Sequence, residues 1–123
     1  MMAKKNLMQN LCIAYQDILK KHKLYATSTT GQMIEDVANL KIHKLLAGHF
    51  GGMQQMGSKI SNNEIDLLIF LQDPANKKRT PDFYNVLNLC DQYNIPCATN
   101  LPTAEVLILA LDRGDLDWRN MYK

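Results

Sequence analysis

The sequence predicts a three-layer α/β sandwich built around a doubly wound, mostly parallel sheet. Short apolar segments typical of strands alternate along the chain with segments whose apolar residues recur every three or four positions, as in amphipathic helices. Strands that alternate with helices in this way pair in parallel through right-handed crossovers. The chain has 123 residues, of which 46% are hydrophobic, so we expect a single domain over residues 1–123.

The first half of the chain is expected to form three helices and two strands. Apolar residues recur at spacings of three and four between Lys5 and Lys23, which predicts one amphipathic helix. The segment "KLYAT" then indicates a strand, and "STTG" supplies the hydroxyls and the glycine with which a second helix can begin. "IHKLLAG" is typical of a strand, and a glycine-containing loop leads from it into a helix over Gln54 to Asn62.

The second half is expected to add two strands and two helices. "IDLLIFLQ" is a continuous apolar run, which predicts a central strand covered on both faces. After a loop containing "NKKRTP", helical spacing runs from Phe83 to Gln92, and "IPCATN" predicts a strand. A last helix should extend through Leu111, with Thr103 or Pro102 at its start and a glycine beyond its end.

Composition argues against several classes of protein. The chain has 14 basic and 12 acidic residues, and its basic residues are spread out except near "NKKRT", so we do not expect nucleic acid as a partner. The apolar runs are shorter than a bilayer requires, so we expect no membrane association and a cytoplasmic location. Three cysteines without paired spacing favour buried thiols over a zinc site or a disulfide framework.

Four hydroxyl-bearing residues follow the first strand, at the edge of the sheet where ligands of this fold class collect. They are Thr27, Ser28, Thr29 and Thr30, and they lead directly into a helix. Hydroxyls and the free amides of a helix start can converge on one anion, which predicts a phosphate site. Alternatively, one hydroxyl simply caps the helix.

Two aspartates are further candidates from the residues alone. Asp73 directly follows the predicted central strand, where a carboxylate can act as a base or as a hydrogen-bond anchor, or can start a turn with the following proline. Asp82 follows Pro81, a position that favours the start of a helix. A second glycine-containing turn, "AGHFGG", ends the next predicted strand and would permit close approach of a ligand.

Five segments resemble the methylglyoxal synthase family in their order and spacing, over about Lys5 to Trp118. These are "LYATSTTG", "GGMQQMG", "IDLLIFLQDP", "NIPCATN" and "TAEVLILALDRGDLDW". The resemblance implies a flavodoxin-like, methylglyoxal synthase-like sandwich, usually assembled as a homohexamer. It also implies elimination of phosphate from dihydroxyacetone phosphate to give methylglyoxal, without a metal or an organic cofactor.

The same resemblance implies site residues. The phosphate-binding stretch of the family falls on Thr27 to Thr30, with Gly48 in the second loop and Lys5 as a phosphate-contacting lysine. The position of the usual catalytic aspartate is Met53, and a thioether cannot accept a proton. Asp82 or Asp73 would then have to serve as the base.

Two parts of the family pattern have no counterpart in the sequence. The first strand of the family, with its site histidine, would lie at or before Met1. A second site histidine, usual in a "P-H-D-P-D" context, is missing near "RTPD". Two functions therefore stay open. One is a methylglyoxal synthase, with full or impaired activity, and the other is a catalytically silent module that binds phosphate or a phosphosugar as a regulatory ligand.

Overall fold

The computed structural model describes residues 5–71 and 81–122, without the side chains of residues 5, 6, 49 and 122, and it confirms the α/β architecture. Helices alternate with short strands along the chain. The helices are α1 (Lys5–Ala14), α2 (Gln16–Leu19), α3 (Ser28–Glu35), α4 (Gly52–Ser61), α5 (Pro81–Gln92) and α6 (Leu101–Asp112), with 3₁₀ turns at Gly48–Phe50 and Asp117–Tyr122. The strands are β1 (Leu24–Thr27), β2 (Ile42–Leu45), β3 (Leu68–Ile69) and β4 (Cys97–Ala98).

The described strands form two parallel pairs. β1 pairs with β2 in a register that places Thr27 beside Leu45, and β3 pairs with β4 in a register that places Ile69 beside Ala98. In each pair a helix connects the two strands, as parallel pairing requires. The carboxyl ends of β1 and β2 therefore meet at one edge, and the turns that follow them are neighbours.

Helices cover both faces of the sheet, as is seen from the successive side chains after Leu67, which point alternately into two separate apolar clusters. Ile69 and Leu71 belong to a first apolar cluster with side chains of α1, α3 and α6. Leu68 and Phe70 belong to a second cluster with side chains of α4 and α5. This alternation confirms the prediction of a strand covered on both faces and gives the three layers of the sandwich.

The first and last helices differ from the sequence prediction in ways that have a physical explanation. The first helix is interrupted at Tyr15, whose backbone (φ −112°, ψ 23°) departs from helical geometry, so that α1 and α2 replace one helix over residues 5–23. The last helix begins at Leu101, so Pro102 lies in its first turn as predicted, whereas Thr103 does not start the helix. Asn100 caps it, since its side-chain oxygen accepts from the Thr103 amide at 3.0 Å and from the Thr103 hydroxyl at 2.8 Å.

The buried Arg119 joins the last 3₁₀ turn to the segments that precede β3 and β4. Its guanidinium is 3% exposed and donates to Asp66 at 3.3 Å, to the Asn63 side chain at 2.8 Å and to the Ile65 carbonyl at 3.3 Å. It also donates to the carbonyl of Asn94. A buried guanidinium is tolerated only when its donors are paired in this way. In the described part of the chain, no helix is long and apolar enough to cross a membrane.

Candidate functional site

The turn from β1 into α3 brings four hydroxyl side chains to one edge of the sheet. Thr27 ends β1 with extended backbone (φ −62°, ψ 156°), and the helix begins at the next residue. Thr27 and Thr30 are 2% and 5% exposed, and their hydroxyl oxygens lie 3.5 Å apart. Ser28 is half-buried and Thr29 is exposed, so this turn also presents hydroxyls to solvent.

The Thr27 hydroxyl does not cap α3. Among the described residues it donates to the Thr30 hydroxyl, and no side chain caps the start of this helix by a hydrogen bond. The first amides of an α-helix have no partner within the helix, and the helix dipole places partial positive charge beside them. These amides, with the hydroxyls of Ser28 and Thr29, can therefore serve as donors to an oxyanion.

Gly31 sets the distance between this turn and the neighbouring strand. A Cβ atom at Gly31 would lie 2.9 Å from Lys44 Cγ and 3.1 Å from Ile42 Cγ2, so the glycine allows α3 to pack tightly on β2. The far end of α3 is held to the same strand, since Glu35 pairs with Lys44 and accepts from the Ile42 amide at 3.1 Å. Local packing thus fixes the start of α3 relative to the carboxyl end of β2.

The second loop runs from β2 into α4 and depends on two of its glycines. Gly51 has a left-handed backbone (φ +101°), and a Cβ atom at Gly52 would lie 2.0 Å from the Leu46 carbonyl oxygen. The Gln55 side chain closes the loop by accepting from the Leu46 amide at 2.6 Å. Gly48 begins the 3₁₀ turn of this loop and is half-buried. The tight turns of this loop therefore explain why Gly51 and Gly52 are glycines, and no ligand is needed to explain them.

Gln55 and Asn100 are structural residues of these turns to which the sequence analysis assigns no role. Each is a polar residue near the start of a helix that follows a strand. That position is the signal that could have identified them, because orphan backbone groups at such junctions need side-chain partners.

Met53 is a core residue. It is the second residue of α4, is 7% exposed and belongs to the second apolar cluster with Phe70 and Phe83. A thioether in this position can pack and can accept only weak hydrogen bonds. At this point of the loop the described structure therefore offers no proton acceptor from α4.

The other predicted site residues are less closely placed. Asp82 lies in the first turn of α5, where the helix dipole stabilises its charge, and it is half-buried. α5 packs on the second cluster and α3 on the first, so the two helices lie on opposite faces of the sheet. Asp73 and the Lys5 side chain lie outside the described residues. Over residues 5–71 and 81–122, no three His, Cys, Asp or Glu side chains form a group that could hold a metal ion.

Comparisons with known proteins agree with this architecture. Residues 8–99 match the model of the MGS-like domain family. A methylglyoxal synthase of Caldicellulosiruptor saccharolyticus is 54% identical over 119 residues, which cover 96% of this chain and 84% of that protein. A methylglyoxal synthase of Clostridioides difficile is 51% identical over 120 residues, which cover 97% of this chain and 88% of that protein.

The same relationship is seen in three dimensions. The crystal structure of a methylglyoxal synthase from Elizabethkingia anophelis superimposes with a TM-score of 0.77 at 32% sequence identity, covering 87% of this chain and 73% of that one. Because the superposition covers most of this chain, the likeness is one of whole fold rather than of a local motif. The chain belongs to the MGS-like domain family and is a methylglyoxal synthase-family protein.

Proposed function

We propose that this protein binds dihydroxyacetone phosphate and eliminates its phosphate to form methylglyoxal, at a rate limited by the loss of the usual base. The observation that carries the proposal is the uncapped start of α3, with its cluster of hydroxyls, at the carboxyl edge of parallel strands in a methylglyoxal synthase-family fold. Relatives that are 54% and 51% identical bear the name methylglyoxal synthase. A phosphorylated small molecule is therefore the substrate class.

In this proposal the phosphate sits on the turn from Thr27 to Thr30. The first amides of α3 and the side chains of Ser28 and Thr29 donate to its oxygens, while the buried hydroxyls of Thr27 and Thr30 hold the turn in shape. Gly48, in the neighbouring loop, lies beside the substrate, and the Lys5 ammonium adds a charge-assisted contact.

The chemical step needs a base next to the carbonyl. Removal of a proton from the hydroxymethyl carbon gives an enediolate, whose electrons expel phosphate as the carbon–oxygen bond breaks, and the resulting enol tautomerises to methylglyoxal. Met53 cannot take that proton, so we assign the role to Asp82 or Asp73. Loss of a well-placed general base commonly costs about 10²- to 10⁴-fold in rate, and we expect a turnover reduced by that order.

A second candidate function rests on the burial of Met53. A side chain that is 7% exposed and packed in the core favours a module that retains a phosphate site without chemistry. Such a module would bind phosphate or a phosphosugar as a regulatory ligand. It predicts binding without product.

The assembly and setting of the protein are part of the proposal. We propose a single domain over residues 1–123 that acts in the cytoplasm as a homohexamer. Large apolar side chains on the last helix and the turn after it support association between subunits, since Val106 is 62% and Met121 is 83% exposed. Sedimentation of the purified protein would test the subunit number.

The test is to incubate the protein with dihydroxyacetone phosphate and to measure methylglyoxal and inorganic phosphate together, above a heat-inactivated control. Equal amounts of both products support the synthase. Thermal stabilisation by phosphate without product supports the silent module. The absence of both product and stabilisation would contradict both functions.

Matched variants locate the site. Ser28→Ala removes one proposed phosphate donor and should weaken phosphate binding by about fivefold to tenfold, the value of one hydrogen bond. Ser61→Ala changes an exposed serine at the end of α4 and should leave binding unchanged. Asp82→Asn should reduce product formation by about 10²-fold if Asp82 is the base. Full activity in that variant would assign the role to Asp73.

A further inference from the structure

Two cysteines outside the candidate site, Cys90 and Cys97, pack in the same apolar cluster. Cys90 lies in the last turn of α5 and is 1% exposed. The buried residues of that helix recur at spacings of three and four and face the second apolar cluster; they are Phe83, Val86 and Cys90. Cys97 is half-buried and packs against the same cluster. α5 therefore directs the Cys90 thiol toward the part of the sheet where Cys97 lies.

Strand alternation points the Cys97 side chain at α5. Cys97 and Ala98 form β4, and successive side chains of a strand point to opposite faces of the sheet. Ala98 belongs to the first cluster, with side chains of α1, α3 and α6, whereas Cys97 packs against the second, with side chains of α4 and α5. The Cys97 thiol is thus on the face of the sheet that α5 covers.

The turn between α5 and β4 brings the two thiols into contact. The amide of Ile95 donates to the Cys90 carbonyl at 2.8 Å, and Asn94 has a left-handed backbone (φ +55°). These are the features of a Schellman motif, in which the chain turns back sharply at the end of a helix. Cys97 follows Ile95 by two residues, and its sulfur accepts a hydrogen bond from the Cys90 thiol.

The two thiols differ in reactivity because their surroundings differ. The hydrogen bond from Cys90 lowers the pKa of Cys97, whereas the same contact and burial raise the pKa of Cys90. The thiolate is the nucleophilic form of cysteine, and Cys97 is also the more exposed of the two. Cys12 provides an internal reference, since it is 1% exposed and burial raises its pKa to about 11.

We propose that Cys90 and Cys97 form a peroxide-responsive dithiol, which oxidises reversibly to an intramolecular disulfide between α5 and β4. The Cys97 thiolate attacks hydrogen peroxide, the O–O bond breaks, hydroxide leaves, and Cys97 becomes a sulfenic acid. The Cys90 sulfur then attacks the Cys97 sulfur, the S–O bond breaks, and the oxygen leaves as water with the Cys90 proton. The pair of thiols loses two electrons, and peroxide is reduced to two waters. The proposal is independent of the proposed enzymatic function.

The test treats the folded protein with millimolar hydrogen peroxide, blocks the remaining thiols with N-ethylmaleimide and identifies tryptic peptides by mass spectrometry. No lysine or arginine lies between Thr80 and Arg113, so one peptide contains both cysteines, and Cys12 is on another. The first peptide should carry no maleimide and should be two hydrogens lighter than its reduced form, and dithiothreitol should reverse the change. This product should form at least about tenfold faster than any oxidation at Cys12.

Two variants separate the roles of the sulfurs. Cys97→Ser removes the attacking sulfur, so Cys90 should stay reduced and should be blocked by maleimide. Cys90→Ala removes the sulfur that closes the bridge, so the sulfenic acid at Cys97 should persist. Its capture by dimedone should exceed that in the wild type by at least about tenfold, because the wild-type sulfenic acid is consumed by Cys90.

The outcomes distinguish a dithiol pair from two inert core residues. Loss of two hydrogens from the wild-type peptide, with Cys12 still reduced, supports the proposal. Two thiols that stay reduced, or a sulfinic acid at Cys97 beside a reduced Cys90, would overturn it. A bridge between two chains would overturn it as well. Oxidation of Cys12 at the same rate as the pair would show that the reaction takes place in unfolded chains, which also contradicts the proposal.

Discussion

Replacement of Arg119 by methionine should destabilise the fold more than any other single change of a charged side chain in the described structure. Methionine keeps an unbranched apolar stem and removes every guanidinium donor. The carbonyl of Ile65, a buried residue, then loses its recorded donor, at a cost of about 2 kcal/mol for an unsatisfied buried acceptor. Asp66 is 37% exposed, so loss of its ion pair adds about 1 kcal/mol after solvent screening.

The expected change in melting temperature follows from the length of the chain. For 123 residues the entropy of unfolding is about 0.26 kcal/mol per degree, so a loss of about 3 kcal/mol lowers the melting temperature by about 12 °C. Arg113→Met is the matched control, since Arg113 and its partner Asp115 are 65% and 53% exposed. That variant should shift the transition by no more than about 2 °C.

A third variant separates charge from geometry. Arg119→Lys retains the positive charge but replaces the planar fork by a single ammonium, which cannot reach all the acceptors that surround the guanidinium. Its melting temperature should lie between those of the wild type and Arg119→Met. Differential scanning calorimetry of the four proteins gives the comparison. A shift for Arg119→Met as small as that of Arg113→Met would refute the reasoning.

Three further predictions concern the rest of the structure. The hydrogen bond with Lys44 lowers the pKa of Glu35, so its contribution to stability is present above the ordinary carboxyl pKa and is lost as pH falls through the lowered one; the difference in melting temperature between wild type and Glu35→Gln should therefore shrink as the pH falls below the ordinary glutamate pKa of about 4.3 and vanish below the lowered one. The Cys90 thiol donates to the Cys97 sulfur and lowers the pKa of Cys97, so the first iodoacetamide adduct found by mass spectrometry should be on Cys97, and a first adduct on Cys90 would contradict this. Gly52→Ala should cost about 3 kcal/mol in chemical denaturation, because its methyl group would meet a backbone carbonyl of the preceding turn, and a variant of wild-type stability would contradict the described loop.

The central strand could be predicted from sequence because its environment is simple. Helices cover both faces of the strand that contains Leu68 and Ile69, so every residue of the strand is buried and the segment is apolar without interruption. The helix boundaries were harder to predict. Asn100 and Thr103 are both capping residues, and only the extended backbone of Asn100 decides between them. Likewise, the apolar residues keep a regular helical spacing across Tyr15, so the sequence does not indicate that the helix is interrupted there.

The candidate site divides in the same way between local and long-range features. The four hydroxyls from Thr27 to Thr30 are adjacent in sequence, so a strand followed directly by a helix was sufficient to predict their common turn. A role for Asp82 or Asp73 depends instead on how segments far apart in sequence approach that turn. The periodicity and spacing of residues do not give the distance between segments that are far apart in sequence, so the assignment of the base stays a prediction.

Met53→Asp is the sharpest test of whether the loop before α4 once held a base. A carboxylate in the first turn of α4 would be stabilised by the helix dipole, while its burial would raise its pKa toward the range useful to a base. Met53→Asn loses the same apolar contacts without adding a proton acceptor, so it controls for the cost of opening the core. If the loop frames the substrate, Met53→Asp should form methylglyoxal at least about 10²-fold faster than Met53→Asn, with equal binding of phosphate. Equal rates in two folded, phosphate-binding variants would mean that this position does not face the reacting carbon, and the burial of Met53 would then reflect packing alone.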